Sequence, residues 1–319
     1  LRHRTAVGEG DGIGGPGGEG RAPGSHARLA RRRRTLLLVS AVFLAGWGTG
    51  YVTGVVRPDP APPAAVLAQR FDAYRLPVRY GDLGPELLEA EAIDVERLVA
   101  QLSGQGMPPT EAQLALLREG GEEDVIRIDR QNALFLLDFF WALGLVNRNP
   151  ILTEGPMMRY GEDQVVRFAS TGGWRLGAKP VAELYGSAPL VPLTDAQRQR
   201  LERVAREVYR PCCDNPAYFP DCNHGMAMLG MLTLLAAAEA DEAVMFEAAA
   251  AANAAWYPQP YGELAVWFDA VDGTRIDEVD ARRLVSSEVA SGSGYRKVRQ
   301  ALAGAGLLAP TTGGGASAC

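Results

Sequence analysis

The chain has 319 residues, 47% hydrophobic and 22% charged, a balance that excludes a disordered polymer and suffices for one or two domains with a sizeable core. Its charge is unevenly placed: residues 1–34 carry eight arginines against Glu9, Asp11 and Glu19, a net of +5, and residues 35–56 carry none. Residues 57–319 therefore hold −11 of the overall −6. An acidic main body repels phosphates and excludes a nucleic-acid-binding role.

Residues 1–34 are rich in glycine and arginine and read as a disordered basic tail. The uncharged run TLLLVSAVFLAGWGTGYVTGVV, residues 35–56, would rise about 33 Å as a helix, enough to cross a hydrocarbon core of about 30 Å. It is longer than the apolar core of a cleaved signal peptide, and no small-x-small pattern follows it closely, so it is expected to remain as a single-pass anchor. The cluster Arg31–Arg34 should stay cytoplasmic, which sends residues 57–319 outward. Gly46, Gly50 and Gly54 fall on one face of that helix and would let two copies approach as a homodimer. Residues 57–66, containing PDPAPPAA, read as a proline-rich linker. Residues 67–308 are expected to form the main domain, and residues 309–319 a flexible tail.

The main domain reads as mainly α-helical with a minor β-hairpin. AVLAQRFDAYRL, IDVERLVAQLSG and TEAQLALLREG have apolar residues at helical spacing, the last behind a capping box of Thr110 and Gln113. NALFLLDFFWALGLV, Asn132 to Val146, is apolar nearly all round and should be the central buried helix. PMMRYGEDQVVRFASTGGWRLG alternates around Val165, Val166 and Phe168 and is the candidate hairpin. LTDAQRQRLERVAREVYR opens with a second capping box, Thr194 and Gln197, and stops at Pro211. The helical runs GMAMLGMLTLLAAAEA, DEAVMFEAAAAANAAW, GELAVWFDAV, DEVDARRLVSSEVA and GYRKVRQALAGAG complete the domain.

Between two of these helices lies RPCCDNPAYFPDCNHGMAM, with three of the chain's four cysteines. Cys212 and Cys213 follow a helix end, and Cys222 and His224 stand at the next helix start, where the dipole favours a thiolate. Thiolate, imidazole and thioether together suit a soft metal ion, copper before zinc or iron. The candidate ligands are Cys212, Cys213, Cys222 and His224, with Met226 or Met228 as a weak axial donor. Two other readings stay open. A disulfide from Cys212 or Cys213 to Cys222 would staple the loop in a tethered interaction or scaffold domain and leave the other vicinal cysteine open to pairing with Cys319. Alternatively, Cys222 would be the active thiol of a thiol–disulfide redox protein. Whether the chain is an enzyme is left open.

Other motifs carry less. Asp138, inside the most apolar helix, is expected to lie at a helix edge or to pair with a partner such as Arg127 or Arg130. Ser170-Thr171-Gly172-Gly173 lacks the GxSxG frame, and Asp272, Asp277 and Asp280 do not have EF-hand spacing. Asp214 and Asp221 read as loop caps.

The motif PCC…FPDCNHGMAMLG, with FASTGGWRLG, LDFFWALGL and WYPQPYGELA, resembles a group of bacterial membrane-anchored proteins without an assigned activity. More remotely the loop is similar to bacterial lipoproteins bearing a PCYCGC motif, though here PCC is not followed by CGC and there is no lipobox cysteine. The first resemblance covers most of the outer domain and implies location and helical architecture, not chemistry.

Overall fold

The computed structural model describes residues 61–308. The basic tail, the apolar run 35–56 with its Gly46, Gly50 and Gly54 face, and residues 309–319 with Cys319 lie outside the described residues. Among the described residues no helix is long and apolar enough to cross a membrane.

Helix α1 (Pro63–Phe71) starts inside the stretch expected to be linker, with proline at its first position, where a missing N–H costs nothing. It does not run on to Leu76 as its periodicity suggests. Ala73 adopts a left-handed φ of 51°, and Pro77 disfavours helical backbone at Leu76. The chain instead enters strand β1 (Tyr74–Gly81), which buries Leu76 and Tyr80. Three helices follow: α2 (Leu83–Glu89), α3 (Val95–Gly104) and α4 (Glu111–Glu119). Strand β2 (Gly121–Ile128) then returns antiparallel to β1, with Tyr74 opposite Ile128 and Gly81 opposite Gly121, and the register shifts twice between. Gly120 turns into β2 with φ of 80°, where a Cβ would overlap the Gly81 carbonyl.

The minor β element is thus present but not where alternation placed it. In the candidate hairpin the chain makes single turns instead, Pro156–Tyr160, Glu162–Val165 and Ala169–Gly172. Gly161 has φ of 94°, which interrupts any extended run. The Thr171 hydroxyl donates to the Val165 and Phe168 carbonyls, taking acceptors that a partner strand would need.

Helix α5 (Ala133–Val146) is buried from Phe135 to its end. It crosses α7 (Asn223–Ala237), which is buried almost throughout. The crossing is backbone on backbone. A Cβ on Gly144 would overlap the Met226 carbonyl, and one on Gly230 would overlap the Phe140 carbonyl. Against this pair pack α6 (Asp195–Ala205) and α8 (Glu242–Trp256); α9 (Pro258–Trp267) packs on α8 and α1, and α10 (Gly292–Gly304) on α9. Both expected capping boxes are formed, at Thr110 with Gln113 and at Thr194 with Gln197. DEVDARRLVSSEVA yields only the short helix Ala281–Leu284. The described residues are mainly α-helical with a two-stranded sheet.

Candidate thiol and metal centre

The loop between α6 and α7 is pinned on both sides. Tyr218 and Ala217 donate to the carbonyls of Ala205 and Val208 (2.9 and 2.8 Å), folding the loop back on the end of α6. On its other side Gly292 donates to the Cys213 carbonyl (2.8 Å), and the Ser293 N–H reaches Asp214 Oδ1 (2.6 Å). Cys222 caps α7, its sulfur accepting from the Gly225 N–H at 3.4 Å. That amide and the helix dipole both favour negative charge on the Cys222 sulfur.

At the heart of the loop is Arg210, whose side chain is wholly buried. Its Nη1 donates to the Asn215 carbonyl (2.6 Å), Nη2 to Asp221 Oδ1 (2.8 Å) and the Phe219 carbonyl (3.4 Å), and Nε to Cys222 Sγ (3.1 Å). Asn215 Nδ2 completes the set by donating to Asp221 Oδ2 (2.7 Å). Burial alone would lower the arginine pKa. The neighbouring cysteines, Cys222 foremost, and Asp221 more than reverse this and hold the guanidinium charged. The planar fork of arginine lets one side chain serve two carbonyls, a carboxylate and a sulfur together. Gly225 is required beside it, because a Cβ there would collide with the guanidinium. Asp221 is therefore the anchor of Arg210 and not merely a loop cap.

The ligand atoms of Cys212, Cys213 and Cys222 lie within 4.8 Å of one another, and the Cys212 and Cys222 sulfurs are 3.6 Å apart. No disulfide joins them; a bond would bring two sulfurs to about 2.05 Å. The two vicinal cysteines do converge, contrary to the usual geometry of successive side chains. Three sulfurs each about 2.3 Å from one ion would be separated by about 3.8–4.0 Å, which the observed spacing brackets. Cys213 holds its proton tightly, through hydrogen bonds with Cys212 and Cys222 and then through burial. Cys222 is buried, whereas Cys212 and Cys213 are half-buried and set the route of approach. Such a trio can hold a metal ion or close a disulfide.

The His224 ring is not in the converging set. Two residues along a helix turn the side chain about 200° from Cys222, so the ring leaves the sulfurs behind. Its Nδ1 lies 2.8 Å from Asn223 Oδ1, and the ring packs on Tyr257 and Trp256 with centroids 4.5 and 5.8 Å away. Burial lowers its pKa to about 4, only partly opposed by Cys222, so the imidazole is neutral. Met226 and Met228 are fully buried members of the hydrophobic core.

His224 instead lines a cavity of about 280 Å³ with Asp138 and Trp141. Asp138 does not pair with Arg127 or Arg130; it accepts from Gln101 Nε2 at 3.0 Å. The Trp141 indole N–H donates to the Ser170 carbonyl (2.6 Å), and the Ser170 N–H to the Asp221 carbonyl (3.0 Å), which ties α5 to the loop. Neither Arg210 nor Gln101 could be singled out from type or spacing. The only signal for Arg210 was its place directly before Pro-Cys-Cys; the helix expected to reach it ends at Ala205.

Comparison of the chain with family models, with curated proteins and with solved structures gives no match.

Proposed function

We propose that the chain is a single-pass, membrane-anchored protein whose outward-facing helical domain handles a soft metal ion, copper(I) first, on Cys212, Cys213 and Cys222. The metal part of this reading is carried by the convergence of the three sulfurs within 4.8 Å, and the anchor rests on the uncharged run 35–56 of the sequence. An all-sulfur donor set suits copper(I) over the harder ions, with zinc the next candidate. A copper electron-transfer centre would call for two imidazoles and one thiolate. The trio offers no imidazole, so acquiring and releasing the ion, or delivering it to a partner complex, fits better than electron transfer. Arg210 offsets part of the charge of the thiolates through the Cys222 sulfur, and Asp221 keeps it aimed there.

The test is anaerobic titration of the reduced full chain with copper(I) and, separately, with zinc(II). One equivalent of metal should bind and protect all three thiols from alkylation, and each of Cys212→Ser, Cys213→Ser and Cys222→Ser should abolish that protection. Free alkylation of every thiol at saturating metal would end the proposal.

A second reading rests on the 3.6 Å separation of Cys212 and Cys222. Small side-chain rotations would close that pair into a disulfide, either as a staple in a scaffold domain or as a redox couple. Loss of two thiols on mild oxidation, with no metal uptake in the reduced chain, would select it.

A further inference from the structure

We propose that the cleft between α3, α5 and the start of α7 is a second binding site, one that takes a small organic cation such as an alkylammonium, with Asp138 as its counter-charge. The proposal does not depend on the thiol centre.

The cavity is about 280 Å³, room for a molecule of several heavy atoms. Leu134, Leu137 and Trp141 form its apolar lining, and no lysine or arginine is among the described residues that line it. Asp138 is only 3% exposed and sits on the most apolar helix of the fold. Among the described residues its one hydrogen-bond donor is Gln101, a neutral amide. A buried carboxylate with a single neutral donor is poorly compensated, and the fold could have met the same shape with asparagine. Among the described residues that line the cleft, none brings a positive charge to Asp138.

Two further features point the same way. The Trp141 indole N–H is already engaged by the Ser170 carbonyl, so what the side chain offers the cleft is ring surface, the partner of an organic cation. Residues 57–319 carry a net charge of −11, which raises the local concentration of small cations and repels anions.

The elements around Asp138 present Gln101 and Gln105 from α3, and Asn223 and His224 from α7. The three amides are uncharged, and burial keeps the His224 imidazole neutral above about pH 4. Burial raises Asp138 to about 7, with only the Gln101 hydrogen bond opposing it. A bound cation favours the ionised carboxylate, so binding near neutrality displaces the Asp138 proton to solvent.

The test is calorimetric titration of the full chain with n-propylammonium at pH 5.5 and pH 7.5, with 1-propanol as the uncharged control. A carboxyl titrating near pH 7 is about twentyfold more ionised at the higher pH, and affinity should rise on that order. Heats measured in buffers of different ionisation enthalpy should show a proton released, and Asp138→Asn should weaken binding at least tenfold at pH 7.5. Equal binding of propanol and propylammonium, absence of binding at pH 7.5, or a pH-independent affinity in the wild type would each overturn the proposal. The last three comparisons need no variant, so they decide the matter even if Asp138→Asn folds poorly.

Discussion

Replacing Asp138 by asparagine isolates the energetic consequence of burying a carboxyl on α5. The substitution preserves shape, and the asparagine side-chain oxygen can still accept from Gln101. Burial moves the wild-type carboxyl from an ordinary 3.8 to about 7. Between those two values the folded chain keeps a proton that the unfolded chain has lost. Wild-type stability therefore falls as pH rises through this window, and the contribution is constant below and above it. At about 1.4 kcal/mol per pH unit, the full effect is up to about 4 kcal/mol. Asparagine titrates nowhere, so Asp138→Asn should match the wild type near pH 4 and exceed it by up to about 4 kcal/mol at pH 8. Urea denaturation of both chains, followed by far-ultraviolet circular dichroism from pH 4 to pH 8, measures the gap directly. A gap that stays constant with pH, or a wild type more stable than the variant at pH 8, would refute the assignment of Asp138 as a buried acid that keeps its proton up to about neutral pH.

His224 should behave with the opposite slope. Its folded value of about 4 lies below the ordinary 6.5, so its contribution is present above pH 6.5 and is lost as pH falls towards 4. His224→Gln should remove about 3 kcal/mol of acid sensitivity over that window, read from the same denaturation series. Arg210→Gln takes the guanidinium away from Asp221 Oδ1 and from the Asn215 and Phe219 carbonyls, leaving Asp221 only its Asn215 donor; a loss of about 3–5 kcal/mol is expected, and less than 1 kcal/mol would contradict a stabilising network. Gly230→Ala forces α5 and α7 apart and should cost about 3 kcal/mol, with the urea midpoint as the measure.

Much of this fold was legible because it depends on local rules. Residues 133–146 are apolar nearly all round, Asp138 excepted, which points to a buried helix, and Thr110 with Gln113 and Thr194 with Gln197 fix two helix starts through neighbouring atoms. The sheet was not legible, since β1 carries Pro77 and β2 carries a run of acidic residues, and their pairing spans the insertion 82–120. Val165 and Val166 gave the stronger alternation signal, but Gly161 and Thr171 satisfy that backbone locally.

The candidate site divides in the same way. Three cysteines between a helix end and a helix start were sufficient to suggest convergence. The side on which His224 would fall was decided by helix rotation from Cys222, which places it in a different cavity. Arg210 escaped notice because a lone arginine in sequence reads as surface charge. Its burial follows from partners five to twelve residues away, Asn215, Asp221 and Cys222.

X-ray absorption at the metal edge of the copper(I)-loaded, reduced full chain tests the central claim most directly. A first shell made of sulfur alone, three atoms contributed by Cys212, Cys213 and Cys222 and unchanged in His224→Gln, is the predicted result. A first shell dominated by nitrogen or oxygen, or one that persists in Cys222→Ser, would contradict it.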